Sequence, residues 1–89
     1  MKIDIKAMAL TLALVWGAFG MFLTGVGSVI LPGYGQAFLD AMASVYPGYT
    51  AEPSFGQAVI GGLYGALDGA VVGALSAWLY NTLAARSGD

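Results

Sequence analysis

Two long apolar runs, residues 7–31 and 58–81, dominate this chain, and one charged side chain, Asp68, falls inside them. As helices rising about 1.5 Å per residue, either run outreaches a bilayer hydrocarbon core of about 30 Å. A segment in hydrocarbon must satisfy its own backbone, and two isolated segments cannot close a barrel, so both runs are expected as helices. Composition points the same way. Of 89 residues, 58% are hydrophobic and 9% charged, where a soluble domain carries roughly 25% charged residues. A globule of this size with so little polar surface would be insoluble.

The sequence contains no cysteine and no histidine. That removes disulfides, thiol chemistry, histidine-ligated haem and most zinc sites, so no metal or cofactor is expected. The net charge of −2 gives no footprint for nucleic acid. There is no nucleophile–base pair, phosphate loop or carboxylate cluster with metal spacing, which disfavours an enzyme.

The basic residues Lys2, Lys6 and Arg86 all lie outside the runs, while the connection over residues 32–57 carries Asp40 and Glu52 and no Lys or Arg. The positive-inside rule then places both termini in the cytoplasm and the connection outside. A cleaved signal peptide is the rival reading of the first run. Its apolar part is too long for one, and no small-x-small site clearly ends it. The expected fold is an all-α membrane protein, a single domain over residues 1–89. It is an antiparallel two-helix transmembrane hairpin with a structured extracytoplasmic connection and a short cytoplasmic tail, residues 82–89.

Leu31-Pro32-Gly33-Tyr34-Gly35 and Tyr46-Pro47-Gly48-Tyr49 both carry the Pro-Gly signal of a type II turn. Between them Phe38, Leu39, Met42, Val45 and Tyr46 recur at helical spacing, which predicts a short amphipathic helix on the outer membrane surface or on a partner. An apolar loop packed over the helix ends fits the same pattern. Tyr34, Tyr46, Tyr49 and Phe55 are expected in an outer aromatic belt, with Trp78 and Tyr80 in the inner one. Ser54, after Pro53, is placed to cap the second helix.

At about 100° per residue, Ala13, Gly17, Gly20, Thr24 and Ser28 share one stripe of the first helix, and Gly61, Gly65, Asp68, Val72 and Ser76 share one of the second. Small and hydroxyl residues favour membrane helix interfaces. Antiparallel pairing of these stripes sets Ser28 by Gly61, Thr24 by Gly65, Gly17 by Val72 and Ala13 by Ser76. Thr24 Oγ, or a buried water, is then expected to bond the Asp68 carboxyl. The strict four-spaced row Gly61, Gly65, Gly69, Gly73 and Ala77, a glycine zipper, drifts about 40° per step, so its lower half is expected to meet a different neighbour, such as a second copy.

A charge at the bilayer centre costs about 2.5–3.5 kcal/mol on insertion scales, so Asp68 should face protein or water. In one reading it bonds neighbouring helices together; in the other it lines a wet path and takes a proton or cation. Trp16, deep in the first run, is a packing anchor whose indole N–H requires an acceptor. Asn81 is read as bonding nearby backbone.

The chain also resembles a known family. The resemblance rests on Lys6-Ala-x-Ala-Leu10 with Trp16-Gly17, on Ser44-Val-Tyr46-Pro47-Gly48-Tyr49, and on Asp68-Gly69 followed by Gly73 and Ala77-Trp78-Leu79-Tyr80-Asn81. These resemble small two-span bacterial membrane proteins of unknown function, often labelled bacteriophage holins, over nearly the whole chain. The resemblance implies a multi-pass protein of the bacterial inner membrane, with lysis as the label. After Asn81 this chain has one basic residue, Arg86, in place of the usual basic cluster. Two functions follow as expectations. One is a packing protein, either a homo-oligomer or an accessory subunit of a larger membrane complex; the other is a holin-like pore or ion conduit using Asp68.

Overall fold

A computed structural model describes residues 2–87 and contains three helices. Helix α1 runs Ile5–Ile30, α2 Gln36–Ala43 and α3 Phe55–Arg86. Helices α1 and α3 are each long and apolar enough to cross a membrane. They pack antiparallel, and the molecule is a rod of 51 × 20 × 18 Å.

Polar caps set the helix starts. The Asp4 side chain accepts from the Ala7 N–H at 3.2 Å, and Ser54 Oγ accepts from the Gln57 N–H at 3.0 Å. Each satisfies one of the donors that a helix start leaves open. Helix α1 stops before Pro32, whose ring bars the helical conformation from the residue ahead of it. The two Pro-Gly pairs then turn the chain, with Gly33 at φ +86° and Gly48 at φ +82°, where a side chain would be strained.

The middle of α1, Leu14–Phe22, is wound as a π-helix. Its bonds run to the fifth residue back, as from the Leu23 N–H to the Ala18 carbonyl. Each residue then advances less than 100°, so residues four apart stay on one face. The buried face of α1 becomes Gly17, Met21, Gly25 and Ser28. Gly20, Thr24 and Ala13, expected on that face, are half-buried beside it. Gly20 lies against the ring of its own Trp16, and the Thr24 methyl lies against Gly35.

On α3 the buried residues are Ala58, Gly61, Gly65, Gly69, Gly73, Ala77 and Ala84. The whole glycine row thus faces the inside of the hairpin, and its lower half packs on α1 where a second copy was expected. Val72 and Ser76 are exposed. The reason is steric. Side chains at positions 68, 72 and 76 would prop the helices apart, whereas the glycine row lets the α1 backbone come into contact. A methyl built on Gly73 would lie 2.6 Å from the Met8 carbonyl oxygen, and one on Gly65 would lie 3.0 Å from that of Trp16. One on Gly69 would collide with the Leu12 carbonyl.

These contacts also fix the register. Gly25 meets Ala58, Gly17 meets Ala66 and Gly65, and Leu12 meets Gly69. The pairing is shifted from the expected one, which placed Thr24 by Gly65 and Gly17 by Val72. At the far end Asn81 clamps the Ile3 backbone from both sides. It accepts from the Ile3 N–H at 2.7 Å and donates to the Ile3 carbonyl at 2.8 Å.

The connection packs back along the hairpin. Leu39, Tyr46 and Tyr49 are buried with Met21, and Trp16, Phe38, Met42 and Tyr64 close around them. Tyr46 and Tyr49, expected as belt anchors, are only 5% exposed each. They are core residues because the Tyr46–Tyr49 turn folds inward against α3. Tyr34, Trp78 and Tyr80 stay exposed at 52%, 56% and 43%.

Candidate functional site: a tryptophan–tyrosine–aspartate relay

Three side chains from three parts of the chain meet at Tyr46. The Trp16 Nε1–H donates to Tyr46 Oη at 2.8 Å, and the Tyr46 hydroxyl donates to Asp68 Oδ2 at 2.9 Å. The π segment of α1 presents Trp16, the Pro-Gly turn presents Tyr46, and α3 presents Asp68. A phenol suits the middle place because it accepts and donates at once. Tyr46 also stacks on Tyr64 at 5.1 Å and meets Tyr49 edge-on at 6.4 Å. Trp16 meets Phe38 edge-on at 5.7 Å. Such ring pairs add about 0.5–1.5 kcal/mol each beyond the area they bury.

Further polar contacts hold the turn in place. The Tyr64 hydroxyl donates to the Pro47 carbonyl, and the Thr50 N–H donates to Gln57 Oε1 at 2.9 Å. Gln36 Nε2 donates to Asp40 Oδ1 at 2.9 Å and to the Ala51 carbonyl at 3.1 Å. Burial raises the pKa of the Tyr46 phenol above the usual 10.0; the bond from Trp16 opposes this and Asp68 adds to it. Tyr49 is raised as well, by burial and then by Asp40. At neutral pH Tyr46 therefore keeps its proton and remains a donor to Asp68.

Thr24 takes no part in this site. Its methyl packs on Gly35, and Asp68 receives its bond from the connection. Ser28 bonds the Gly25 carbonyl within its own helix at 2.7 Å. Asp68 is half-buried, and no donor among the described residues reaches its Oδ1. Asp68 is one of the residues lining a cleft of about 270 Å³, together with Leu12, Val15, Trp16, Gly69 and Val72. Leu12 and Val72 lie one turn beyond Trp16 and Asp68 on the side away from the connection. The connection thus fills the upper part of the α1–α3 groove, ends at Tyr46, and leaves the cleft directly below. Chemically the site can hold a proton, or accept a hydrogen bond or cation at one carboxylate oxygen.

Two needs in the sequence pointed to the relay without naming its centre. Trp16 required an acceptor and Asp68 required a donor, and a tyrosine serves both. Tyr46 was missed because its neighbours in sequence form a surface-type turn, and only the fold shows that the turn faces inward.

The fold and site together define an all-helical hairpin of membrane-spanning length, with its connection bonded to an acid on the second long helix. No family model, curated protein or solved structure matches the chain.

Proposed function

We propose that this chain is a non-enzymatic integral membrane protein that works by packing in the bilayer, either as a homo-oligomer or as an accessory subunit of a larger membrane complex. The observation that carries this is the outer surface. Leu10, Leu14, Phe19, Leu23, Leu63, Leu67 and Leu75 are all exposed along the two long helices, at 57–68%. Water would not tolerate that surface, and lipid or a partner helix would. Lys2, Lys6 and Arg86 gather at the opposite end from the connection, which supports both ends in the cytoplasm and residence in a bacterial inner membrane.

The glycine row is consumed within the hairpin, so association uses other faces. The groove between α1 and α3 lined by Ala13, Ala18, Gly62 and Ala66 together with Phe22 and Leu63 is wholly apolar and shallow, and it suits a further helix. Size measurement in mild detergent, with mass spectrometry of co-purifying proteins, tests the reading. A stable oligomer or a defined foreign partner supports it; a monomer without partners counts against it.

A second reading, a holin-like pore or ion conduit, draws on the open Oδ1 of Asp68 and on the resemblance to proteins labelled holins. Its test is leakage of ions or dye from liposomes. Asp68→Asn that assembles normally but abolishes flux would favour it over packing alone.

A further inference from the structure

We propose that the cleft beneath Tyr46 binds a small lipophilic organic cation of the alkylammonium class. Its single ionisable group is the Asp68 carboxyl, and one oxygen of that carboxyl is already held by Tyr46. The other oxygen has no protein donor among the described residues. The remaining wall is aliphatic, from Leu12, Val15 and Val72, with the Trp16 indole beside it. A carboxylate next to an indole in an apolar wall complements a positive charge carried on a hydrocarbon body. The carboxylate answers the charge, the indole adds cation–π attraction, and the aliphatic wall takes the methyl groups. At about 270 Å³ the cleft suits a body of roughly ten to fifteen heavy atoms.

A second copy does not supply the cation. Copies inserted the same way bring matching depths together, and the exposed side chains near the level of Asp68 include Leu14, Val15, Leu67, Val71 and Val72. None is a donor. Lys2, Lys6 and Arg86 lie at the end of the rod away from the connection. The occupant therefore arrives from the membrane or from solution. The inference needs the hairpin and its apolar setting, but it does not need the protein to oligomerise.

The test uses the full chain carrying Trp78→Phe, which leaves Trp16 as the sole tryptophan, in lipid nanodiscs. Benzyltrimethylammonium is titrated while Trp16 emission is followed, and neopentylbenzene, in which carbon replaces the charged nitrogen, serves as the neutral probe. A saturable emission change with the cation, at least tenfold weaker with the neutral probe, supports the site. Asp68→Asn should weaken the cation's midpoint at least tenfold while keeping an acceptor for Tyr46. Val72→Phe, which fills the cleft and leaves the carboxyl, should do the same. Equal response to both probes, or an unchanged midpoint in Val72→Phe, overturns the proposal. If Asp68→Asn does not fold, the probe comparison and Val72→Phe decide. Because the readout is binding to nanodisc-embedded protein, it stands or falls separately from any measurement of oligomer size.

Discussion

Replacing Gly69 with alanine sets one methyl group against the backbone of α1. Built on the present helix, that methyl would lie 2.6 Å from the Leu12 carbonyl carbon and 2.9 Å from the Ala13 nitrogen. Comfortable contact needs about 3.5–4.0 Å, so the helices must part locally by about 1 Å. Neither atom belongs to a flexible side chain that could swing aside. Overpacking of this kind costs about 1–3 kcal/mol. Alanine recovers about 1 kcal/mol of helix propensity over glycine. The upper part of the range applies at so tight a contact, and parting the helices also loosens Gly65 and Gly73, so the net loss should be about 1–2 kcal/mol. Gly20→Ala is the contrast, because a methyl there meets nothing closer than 3.5 Å. It should be neutral or stabilising by up to about 1 kcal/mol. Reversible unfolding in mixed micelles of rising SDS fraction, followed by helical circular dichroism, measures both. A Gly69→Ala protein as stable as Gly20→Ala would refute the packing argument.

Tyr46→Phe strands the Trp16 N–H and takes the donor from Asp68, so it should destabilise by about 2 kcal/mol and shift Trp16 emission in a Trp78→Phe background. The raised phenols of Tyr46 and Tyr49 predict a pH dependence. Their contribution is complete below the unfolded value of about 10 and is lost as pH climbs through the higher folded values, so melting should fall only above about pH 10, and less steeply in Tyr46→Phe. With no native cysteine present, Phe22→Cys paired with Gly62→Cys, whose Cβ atoms would lie 3.1 Å apart, should cross-link on mild oxidation, while Thr24→Cys paired with Gly65→Cys should not. The reverse yield would restore the register expected from the stripes. Asn81→Leu removes both bonds to the Ile3 backbone and should raise hydrogen exchange at the Ile3 amide about tenfold; an unchanged rate would mean that the clamp is idle.

Much of the architecture was legible because it rests on local patterns. The apolar runs announced α1 and α3, Pro32 announced the end of α1, Ser54 announced the start of α3, and the Pro-Gly pairs announced the turns. These depend on solvation, ring sterics and capping, all of which act over a few residues. The facing residues were harder. Uniform 100° steps placed Gly20 and Thr24 on the inner face of α1, and the π segment replaced them with Met21 and Gly25. No residue between Leu14 and Phe22 marks that change by itself. Choosing between two overlapping stripes on α3 likewise required the partner, because the closest approach of two backbones is a property of the pair.

By itself, then, the sequence determined an apolar helical hairpin, an acid at Asp68 that needed a polar neighbour, and a tryptophan at position 16 that needed an acceptor. Tertiary structure alone decided that both needs are met by Tyr46, and that the glycine row closes the hairpin. The physical reason is that hydropathy and turn chemistry are summed along the chain. Which donor reaches Asp68 depends instead on how far the connection folds back into the groove, and packing between distant residues sets that distance.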